Sequence, residues 1–454
     1  MPLLGTRGAA SAKGFGFTAG ASVANSIAIS LFLTGKKLYV ASVGANDTGD
    51  IYVAARQDDG VDGSDQFAYL LKFSSAGVLT WQKQIYWTNG PKFAYRTFMF
   101  NQALQVGVSG NIYVCFTQAL DTNPFPYTGF VVKFDPTGTV LWQQSYNHST
   151  TNNMSVVSIA INAAETALYA GALANPAAGN DFSYMVSLNP SSGAINWATN
   201  YAGQYGWYSL AIQSNGNVVG AGNISSGGYT GVAFSQFNSS GTLQWQKTYL
   251  NSLGNVSSTG IAGDSSNNIY VGYSYPSGGG GMLKVDNSGT YVTDARAFNN
   301  SPSIFASTST GDLYGWVYDS ASVIAVSKWN SSLAGQWANQ ITGVTPASIR
   351  AQGFSLGSSS NTTFFYGATI PGDGTNFGGI VYQLKRDGTG TGGGNKTAGS
   401  FVTSYSTGTS NILSQFGFTL ANNTGTNEVN RFTTSPGYTL TISNSSITTA
   451  AVSL

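Results

Sequence analysis

GFVVKFDPTGTVLWQQSY, the stretch from Gly129 to Tyr146, decides the fold of this chain. Its first part, Phe130 to Phe134, has the short apolar pattern of a β-strand. The next residues, Asp135 to Gly138, are typical of a tight turn, because Pro presets its backbone φ angle and Gly tolerates a positive one. The last part carries Trp142 and again has the pattern of a strand. The stretch therefore predicts two antiparallel strands joined by a turn.

The same unit recurs along the chain. Its marker is a two-residue element, usually an apolar residue followed by Tyr, that begins another strand: Ile51-Tyr52, Ile112-Tyr113, Leu168-Tyr169, Val218-Val219, Ile269-Tyr270, Leu313-Tyr314 and Phe365-Tyr366. Successive second residues of the marker are separated by 61, 56, 50, 51, 44 and 52 positions. This spacing predicts a repeat architecture with seven copies.

Each copy contains four segments with strand character. An apolar run and a turn precede the marker, and an alternating segment follows it. The fourth segment carries a tryptophan in five copies: Trp81, Trp142, Trp197, Trp245 and Trp337. Four short strands in each repeat are typical of a β-propeller blade. A Trp that recurs at one position of the repeat indicates packing between blades rather than contact with a ligand.

We therefore predict an all-β chain: a seven-bladed β-propeller of four-stranded antiparallel blades, with an extended N-terminal tail and a small C-terminal β-appendage. The predicted divisions are residues 1–24 for the tail, 25–408 for the propeller and 409–454 for the C-terminal extension, for which an extended tail is the alternative to an appendage. The first repeat begins at Lys37 to Ala41. We expect Phe401 to Tyr405 to supply the fourth strand of the seventh repeat, after a flexible Gly-rich segment.

Composition excludes several classes of function. Charged residues make up 8% of the sequence, and Lys+Arg 19 against Asp+Glu 18 give a net charge of +1. Binding of nucleic acid through phosphate neutralisation needs clustered basic residues, which this sequence lacks. No apolar run reaches the ~18 residues of a membrane helix, so no membrane insertion is predicted. The single cysteine, Cys115, excludes an intramolecular disulfide and a cysteine-based zinc site, and we expect it to be a buried strand residue.

Two resemblances add to this. The repeat resembles the seven-bladed β-propeller repeat family, most clearly at Asn111 to Trp142 and at Asn268 to Asp286. The opening Gly5 to Phe17, GTRGAASAKGFGF, is similar to a short head found on virion proteins of tailed bacteriophages. This second resemblance implies a location in the virion, docking onto other tail or capsid proteins through residues such as Arg7, Phe15 and Phe17, and several copies in each particle.

Three functions remain open at this stage. The preferred one is a non-enzymatic tail-fibre, spike or appendage protein that attaches by its N-terminus and binds glycans on the host surface. The first alternative is a propeller-fold enzyme that degrades polysaccharide with a pair of carboxylates, drawn from Asp121, Asp181, Asp264 and Asp319. The second is a capsid or tail decoration protein without receptor binding. No cofactor is predicted.

The stretch most typical of a binding site is YAGQYGWY, between the third and fourth repeats. Aromatic rings separated by glycine can present flat faces to a sugar, and an amide side chain can add hydrogen bonds. The predicted glycan-binding residues are Tyr201, Gln204, Tyr205, Trp207 and Tyr208. Packing between the two repeats is the alternative for these aromatic residues.

Other site patterns are weaker. Asp58, Asp59, Asp62 and Asp65 offer oxygen ligands of the kind that calcium prefers, but their spacing matches no EF-hand loop, and a solvated acidic loop is expected instead. His148, expected in a polar loop, is the only imidazole, which excludes most catalytic triads and transition-metal sites. GTGGGNKT, residues 390–397, lacks the second glycine of a phosphate-binding loop and is expected to be a linker.

Overall fold

The structure is a computed structural model. It describes the following residues of the chain, with residues 47, 76 and 163 left out: 27–32, 37–58, 67–87, 102–119, 127–148, 154–174, 182–202, 204–226, 229–249, 256–275, 279–297, 302–307, 311–320, 323–341, 351–356, 363–370, 378–385, 395–396, 405–406, 432–434, 440–444 and 448–453. Every regular element in these ranges is a β-strand, and β1 (Ile27–Phe32) is the first.

Consecutive strands form four-stranded antiparallel blades. The first three blades are β2 (Lys37–Ala45), β3 (Ile51–Asp58), β4 (Ala68–Phe73), β5 (Leu79–Trp87); β6 (Leu104–Val106), β7 (Ile112–Ala119), β8 (Tyr127–Phe134), β9 (Val140–His148); and β10 (Met154–Ile161), β11 (Leu168–Ala174), β12 (Phe182–Leu188), β13 (Ile195–Ala202). The next three are β14 (Gln204–Ile212), β15 (Val218–Ser226), β16 (Tyr229–Phe237), β17 (Leu243–Tyr249); β18 (Ser257–Gly263), β19 (Ile269–Tyr275), β20 (Gly279–Val285), β21 (Tyr291–Ala297); and β22 (Pro302–Ser307), β23 (Leu313–Ser320), β24 (Val323–Trp329), β25 (Gly335–Ile341). The last set of consecutive strands is β26 (Ala351–Leu356), β27 (Thr363–Ile370) and β28 (Gly378–Lys385).

The blades follow one another around a ring. The first strand of each blade contacts the first strand of the next, and β26 of the last blade contacts β2 of the first. These first strands, the inner strands, therefore meet around the axis, and the fourth strands are the outer ones. Large apolar side chains on both faces of the sheets are fully buried between blades, among them those of Phe116, Phe134 and Phe234. The prediction of an all-β propeller with four-stranded antiparallel blades is confirmed.

The seventh blade is closed by the beginning of the chain. Its outer strand is β1, which pairs with β28 in antiparallel register, with Ile27 opposite Gln383. The expectation that Phe401 to Tyr405 would supply this strand was wrong: β30 (Tyr405–Ser406) pairs instead with β21, at the outer edge of the fifth blade. β1 therefore occupies the place in the seventh blade that the sequence pattern assigned to the nearest downstream segment.

The C-terminal part of the chain forms a belt of fifth strands. After β29 (Asn395–Lys396) on the sixth blade and β30 on the fifth, β31 (Phe432–Thr434) pairs with the second blade, β32 (Leu440–Asn444) with the first and β33 (Thr448–Ser453) with the seventh. Each pairs with an outer strand. The belt therefore passes around the ring in the direction opposite to the order of the blades, and its strands belong to the sheets of the propeller.

The recurring tryptophans join neighbouring blades. In the first four blades the indole N–H donates to a carbonyl in the turn between the third and outer strands of the next blade, here called the outer turn; the side chain of Trp337 lies outside the described residues. The bonds run from Trp81 to Pro136 (3.1 Å), from Trp142 to Pro190 (3.0 Å), from Trp197 to Ser239 (2.8 Å) and from Trp245 to Asn287 (2.9 Å). One such hydrogen bond contributes about 0.5–1.5 kcal/mol, and the repeat makes it several times. The predicted role in packing between blades is confirmed for these four tryptophans.

The glycine of the outer turn makes room for the indole. Gly193 has a φ of +73°, and a Cβ built on it would lie 2.7 Å from Cζ3 of Trp142. In the fifth blade Thr293 occupies the Trp position, opposite Lys284. The next outer turn then has Leu333 in place of glycine, also at positive φ (63°) and buried. The smaller Thr293 in place of an indole and the larger Leu333 in place of a glycine thus compensate for each other in volume.

The marker tyrosine and the lysine of the third strand are also coupled. Tyr113 and Lys133 are cross-strand partners, and the Lys133 ammonium lies 5.0 Å from the centre of the tyrosine ring. The same ammonium donates to the carbonyl of Pro190 in the next blade at 3.1 Å. The GFVVKFDPTGTVLWQQSY motif is thus a set of contacts between blades.

Candidate functional site

The two faces of the ring differ in their connections. One face, here called the turn face, carries two turns of each blade. They are the inner turn, which joins the inner strand to the second strand, and the outer turn. The other, the loop face, carries the remaining connections, which range from the single residue Gly203 to residues 88–103. Most described turns of the turn face share one hydrogen-bonding pattern, as in Asp135 N to Thr139 O and Asn238 N to Thr242 O, and the two turns of the third blade are one residue longer. Variation, and with it room for recognition, is concentrated on the loop face.

The predicted glycan-binding stretch lies at the loop face, where the third blade passes into the fourth. Tyr201 is near the end of β13, and Gln204, Tyr205, Trp207 and Tyr208 belong to the inner strand β14. The stretch was expected in the connection between the third and fourth repeats, but only Gly203 lies between the two strands, and the predicted residues belong to the strands themselves. The structure describes the backbone of these residues and, among their side chains, that of Tyr208, which is half-buried.

β14 is the most irregular inner strand in the described part of the chain. Its pairing with β15 shifts register twice, between Gln204 and Trp207 and between Trp207 and Ser209. The other described inner strands show at most one shift each. A β-bulge turns a side chain away from the alternating pattern and is common next to binding sites. The backbone at Trp207 therefore departs from the blade geometry at a predicted recognition residue.

Polar contacts hold β14 in place on both sides. The side-chain Oε1 of Gln102, in the second blade, accepts from the backbone N–H of Leu210 at 2.6 Å, and the carbonyl of Gln102 accepts from Ile159 N. On the other side, Ser209 Oγ accepts from Ile261 N at 3.1 Å. The inner strands of four successive blades are joined in this way. Sequence reasoning missed Gln102, because one polar residue before a short strand has no distinguishing pattern.

The described acidic side chains lie mostly on the turn face and are engaged there. Asp50 and Asp312 form ion pairs with Lys72 (3.0 Å) and Lys328 (2.9 Å). Asp135 accepts from the backbone N–H groups of Thr137 and Thr139 and from the Thr137 hydroxyl. These hydrogen bonds, the one from the Thr137 hydroxyl above all, lower the pKa of Asp135 below its usual value.

Glu165 is the acid with the largest set of partners. It accepts from the backbone and hydroxyl of Ser109, from Asn111 Nδ2 at 3.1 Å and from the Tyr113 hydroxyl at 3.1 Å, all in the preceding blade. Partial burial opposes ionisation, but the hydrogen bonds outweigh it, and the pKa of Glu165 lies below its usual value. Burial, reinforced by this carboxylate, raises the pKa of Tyr113. Glu165 thus joins the inner turns of the second and third blades.

The acids proposed for polysaccharide cleavage do not converge in the described residues. Asp264 is on the turn face, where it accepts from Ser266 N, from Asn268 N and from the Tyr270 hydroxyl at 2.8 Å. Asp319 is near the loop-face end of β23. Asp121 and Asp181 lie outside the described residues. A pair that includes Asp264 and Asp319 would have to act from opposite faces, which a glycosidase mechanism does not allow.

The remaining predicted positions have mixed outcomes. Cys115 is buried in β7, as predicted, and burial raises the pKa of its thiol. His148 was expected in a loop, and this was wrong. It is the last residue of β9, and its backbone pairs with that of Phe432. Asn395 and Lys396, from the expected linker, form β29. Asp58 ends β3 at the loop face.

Several other predicted residues lie outside the described part of the chain: Asp59, Asp62 and Asp65 of the acidic loop, and Arg7, Phe15 and Phe17 of the N-terminal segment. Among the described residues, no three His, Cys, Asp or Glu side chains form a group that could hold a metal ion. The described residues also include no helix with the length and apolar character needed to cross a membrane.

Comparison with known proteins yields structural likeness only. No protein-family model and no curated protein matches the chain. A crystal structure of a protein of unknown function from Dyadobacter fermentans is 11% identical, with a TM-score of 0.46, over 80% of this chain and 98% of its own. Quinohemoprotein alcohol dehydrogenase from Comamonas testosteroni is 10% identical, with a TM-score of 0.43, over 78% of this chain and 77% of its own. NanB, solved with Optactamide, is 11% identical, with a TM-score of 0.40, over 76% and 68%.

Proposed function

We propose that this chain is a non-enzymatic structural protein of a tailed-bacteriophage virion, attached by its N-terminal segment and recognising glycans of the host surface with its loop face. The observation that carries the proposal is the division between the two faces. The described acids are mostly used in turns and blade junctions of the turn face, whereas the loop face has the variable connections and the doubly shifted β14. The similarity of Gly5 to Phe17 to the short N-terminal head of phage virion proteins supports a location in the virion.

The predicted site suits an uncharged sugar. Tyr205 and Trp207 offer aromatic faces for stacking, and Gln204 can donate and accept hydrogen bonds. Sugar rings present both a C–H face and hydroxyl groups, so such a set binds them without an ionised group. The low charge of the whole chain agrees with a neutral ligand, since no strong field is needed for recognition.

The recognition step is tested by replacing Tyr205 and Trp207 with alanine. We expect adsorption of the purified protein to host cells or host glycans to fall at least tenfold, because both stacking faces are removed. The control is Gln244→Ala, an exposed change on the turn face of the fourth blade, which should bind like the wild type. Adsorption at the wild-type level by the double variant, with an unchanged melting temperature, would overturn the glycan site.

The docking step is tested by deleting residues 1–24. This deletion leaves β1 intact, so the propeller should remain folded, with an unchanged circular dichroism spectrum and melting temperature. We expect the truncated protein to be missing from particles assembled in its presence. Normal incorporation would refute docking through this segment.

The absence of catalysis has its own measurement. Host polysaccharide incubated with the full-length protein should gain no new reducing ends above a buffer control. A time-dependent increase that is lost on boiling the protein would instead establish the polysaccharide-degrading alternative.

A further inference from the structure

The inner turns of the first, third and fifth blades are capped by their own first residue. In each of them, the side-chain oxygen of that residue accepts hydrogen bonds from backbone N–H groups of the same turn. Asp264 Oδ1, for example, accepts from Ser266 N and Asn268 N, at 2.9 Å each. The other two capping residues are Asn46, in the first blade, and Asn162, in the third. Such a cap closes the turn without help from a neighbouring blade.

The inner turn of the second blade has no such residue, because its first position is Gly107. The carboxylate of Glu165, in the inner turn of the third blade, takes the place of the missing cap. It accepts from Ser109 N at 2.7 Å, from Asn111 Nδ2 at 3.1 Å and from the Tyr113 hydroxyl at 3.1 Å. The fifth blade has the same set of donors, all bound to its own capping residue Asp264: Ser266 N, Asn268 Nδ2 and the Tyr270 hydroxyl. Glu165 therefore caps, from a neighbouring blade, a turn that other blades cap by themselves.

Two backbone features accommodate this carboxylate. A Cβ built on Gly107 would lie 2.1 Å from Glu165 Oε1, so the glycine leaves the space that the carboxylate fills. Glu165 itself has a φ of +52°, although a left-handed conformation is unfavourable for a residue with a Cβ. The equivalent position is glycine in the first, second and fourth blades: Gly49, Gly110 and Gly216. A residue held in an unfavourable backbone conformation indicates a role for its side chain.

The donors that hold Glu165 are all uncharged, and no described ammonium or guanidinium group forms an ion pair with it. Tyr113, on β7, is a titratable group that faces it. On the elements packed against these turns, Lys133 of β8 donates to the Pro190 carbonyl, and Asp135 is bound within the outer turn of the second blade. Although partial burial opposes ionisation, the hydrogen bonds keep the pKa of Glu165 below its usual value. The turn therefore binds the ionised form.

We propose that Glu165 is an acid-sensitive link between the second and third blades: its carboxylate holds the inner turn of the second blade closed, and protonation releases that turn while the ring remains assembled. The inner turns of the first and third blades stay closed in acid, because the amide side chains of Asn46 and Asn162 do not titrate. This inference is independent of the proposed function, since it concerns a contact within the ring.

The direction of the pH effect follows from the two states of the turn. In the open turn the Glu165 carboxyl has its ordinary pKa, about 4.3, and in the closed turn its pKa is lower. The link therefore contributes fully above about pH 4.3 and weakens as the pH falls through the closed-state value. Protonation weakens the link because it removes the negative charge that strengthens these hydrogen bonds.

The first experiment measures amide hydrogen exchange in the full-length protein at pH 6 and pH 3, with protection factors corrected for the intrinsic effect of pH. We expect the protection of the Ser109 amide to fall at least tenfold, while two reference amides keep theirs. The references are those of Thr48 and Thr166, which donate to Asn46 and Asn162. Unchanged protection of Ser109 would overturn the proposal. An equal loss at all three amides would overturn it as well, because the ring would then be unfolding as a whole.

The second experiment moves the cap back into its own turn. Gly107→Asn combined with Glu165→Gly places at these positions the pair that the first blade has, Asn46 and Gly49. We expect this double variant to protect the Ser109 amide equally at pH 6 and pH 3. Glu165→Gly alone should lose that protection at both pH values. A folded double variant that remains as sensitive to acid as the wild type would overturn the proposal.

Glu165→Gln keeps the test decisive if the double variant does not fold, because it removes the charge with little change in the shape of the side chain. Protection of the Ser109 amide in this variant should be the same at pH 6 and pH 3, and a tenfold loss on acidification would contradict the link. The matched control is Asp135→Asn, which removes a carboxylate from the outer turn of the same blade. It should leave the acid response of the Ser109 amide as in the wild type, and loss of that response would assign the effect to Asp135 instead.

Discussion

Gly193 and Gly216 have the same backbone conformation in different surroundings. Their φ angles are +73° and +85°, but a Cβ on Gly193 would lie 2.7 Å from Trp142, whereas one on Gly216 would meet nothing within 4 Å. Both alanine variants incur the cost of a left-handed residue, about 1–2 kcal/mol. Gly193→Ala must also displace the indole, which adds about 1–3 kcal/mol. Urea unfolding of the two variants should show this difference, and equal losses would contradict the role assigned to the Trp contact.

Glu165 makes the stability of the ring depend on pH. Its pKa is lower in the folded protein than in the unfolded chain, so its contribution is fully present above the unfolded value, about 4.3, and is lost as the pH falls through the folded value. The melting temperature should therefore fall on acidification from pH 6 to pH 3. Glu165→Gln should reduce this fall, while other acids with lowered pKa values, Asp135 and Asp286, maintain part of it. An unchanged pH dependence in the variant would refute the assignment.

At single positions the sequence predicts kinds of contact and not partners. Recurrence at one place in the repeat was enough to assign Trp142 to packing between blades. It could not identify the Pro190 carbonyl, because that contact depends on how adjacent blades are rotated. Leu333 carried an available signal: the turn glycine is missing one repeat after the Trp is missing, at Thr293. Glu165 carried none, since it occurs in one repeat only.

At the scale of elements, strand existence follows from local pattern, and strand pairing does not. The marker strands and the Trp strands lie where the repeat places them. The pairing of β1 with β28 joins two segments that are far apart in the sequence, and alternation within Ile27 to Phe32 says nothing about which distant edge will accept it. The pairing of the belt strands could not be predicted either, because these strands are short and each adds to a sheet that is already complete. At the candidate site, the position of Tyr201 to Tyr208 between repeats was predictable, but the register shifts of β14 were not.

Removing β33 tests the belt. A protein truncated after residue 447 keeps β1 in the seventh blade but leaves the outer edge of β1 uncovered. We expect it to fold, to melt a few degrees lower than the full-length chain, and to unfold faster, because an exposed edge strand is the first to separate. The matched control is the deletion of residues 1–24, which removes no described strand. Identical melting and unfolding rates for the two truncations would contradict the pairing of β33 with β1.

For the whole molecule, the pairing of β1 with β33 predicts that a circular permutant of the chain will fold. Ile27 and Ser453 are antiparallel partners, so a two-residue Asn-Gly turn can join them as a hairpin. A circular permutant that begins at Lys37, runs to Ser453 and ends with that turn and β1 should fold with a melting temperature near that of the wild type. A permutant opened between β14 and β15 splits a hairpin inside a blade and should be less stable. Failure of the first with success of the second would contradict the closure described here.

The closure of the seventh blade by β1 also means that β1 must wait for its partner strand during synthesis. β28, its first partner, leaves the ribosome roughly 350 residues after β1, which at about 5–20 residues per second is a wait of roughly 20 to 70 s. During this time an apolar strand is present without its sheet, beside the growing edges of unfinished blades. Pairing with the wrong edge would produce dimers or aggregates of nascent chains.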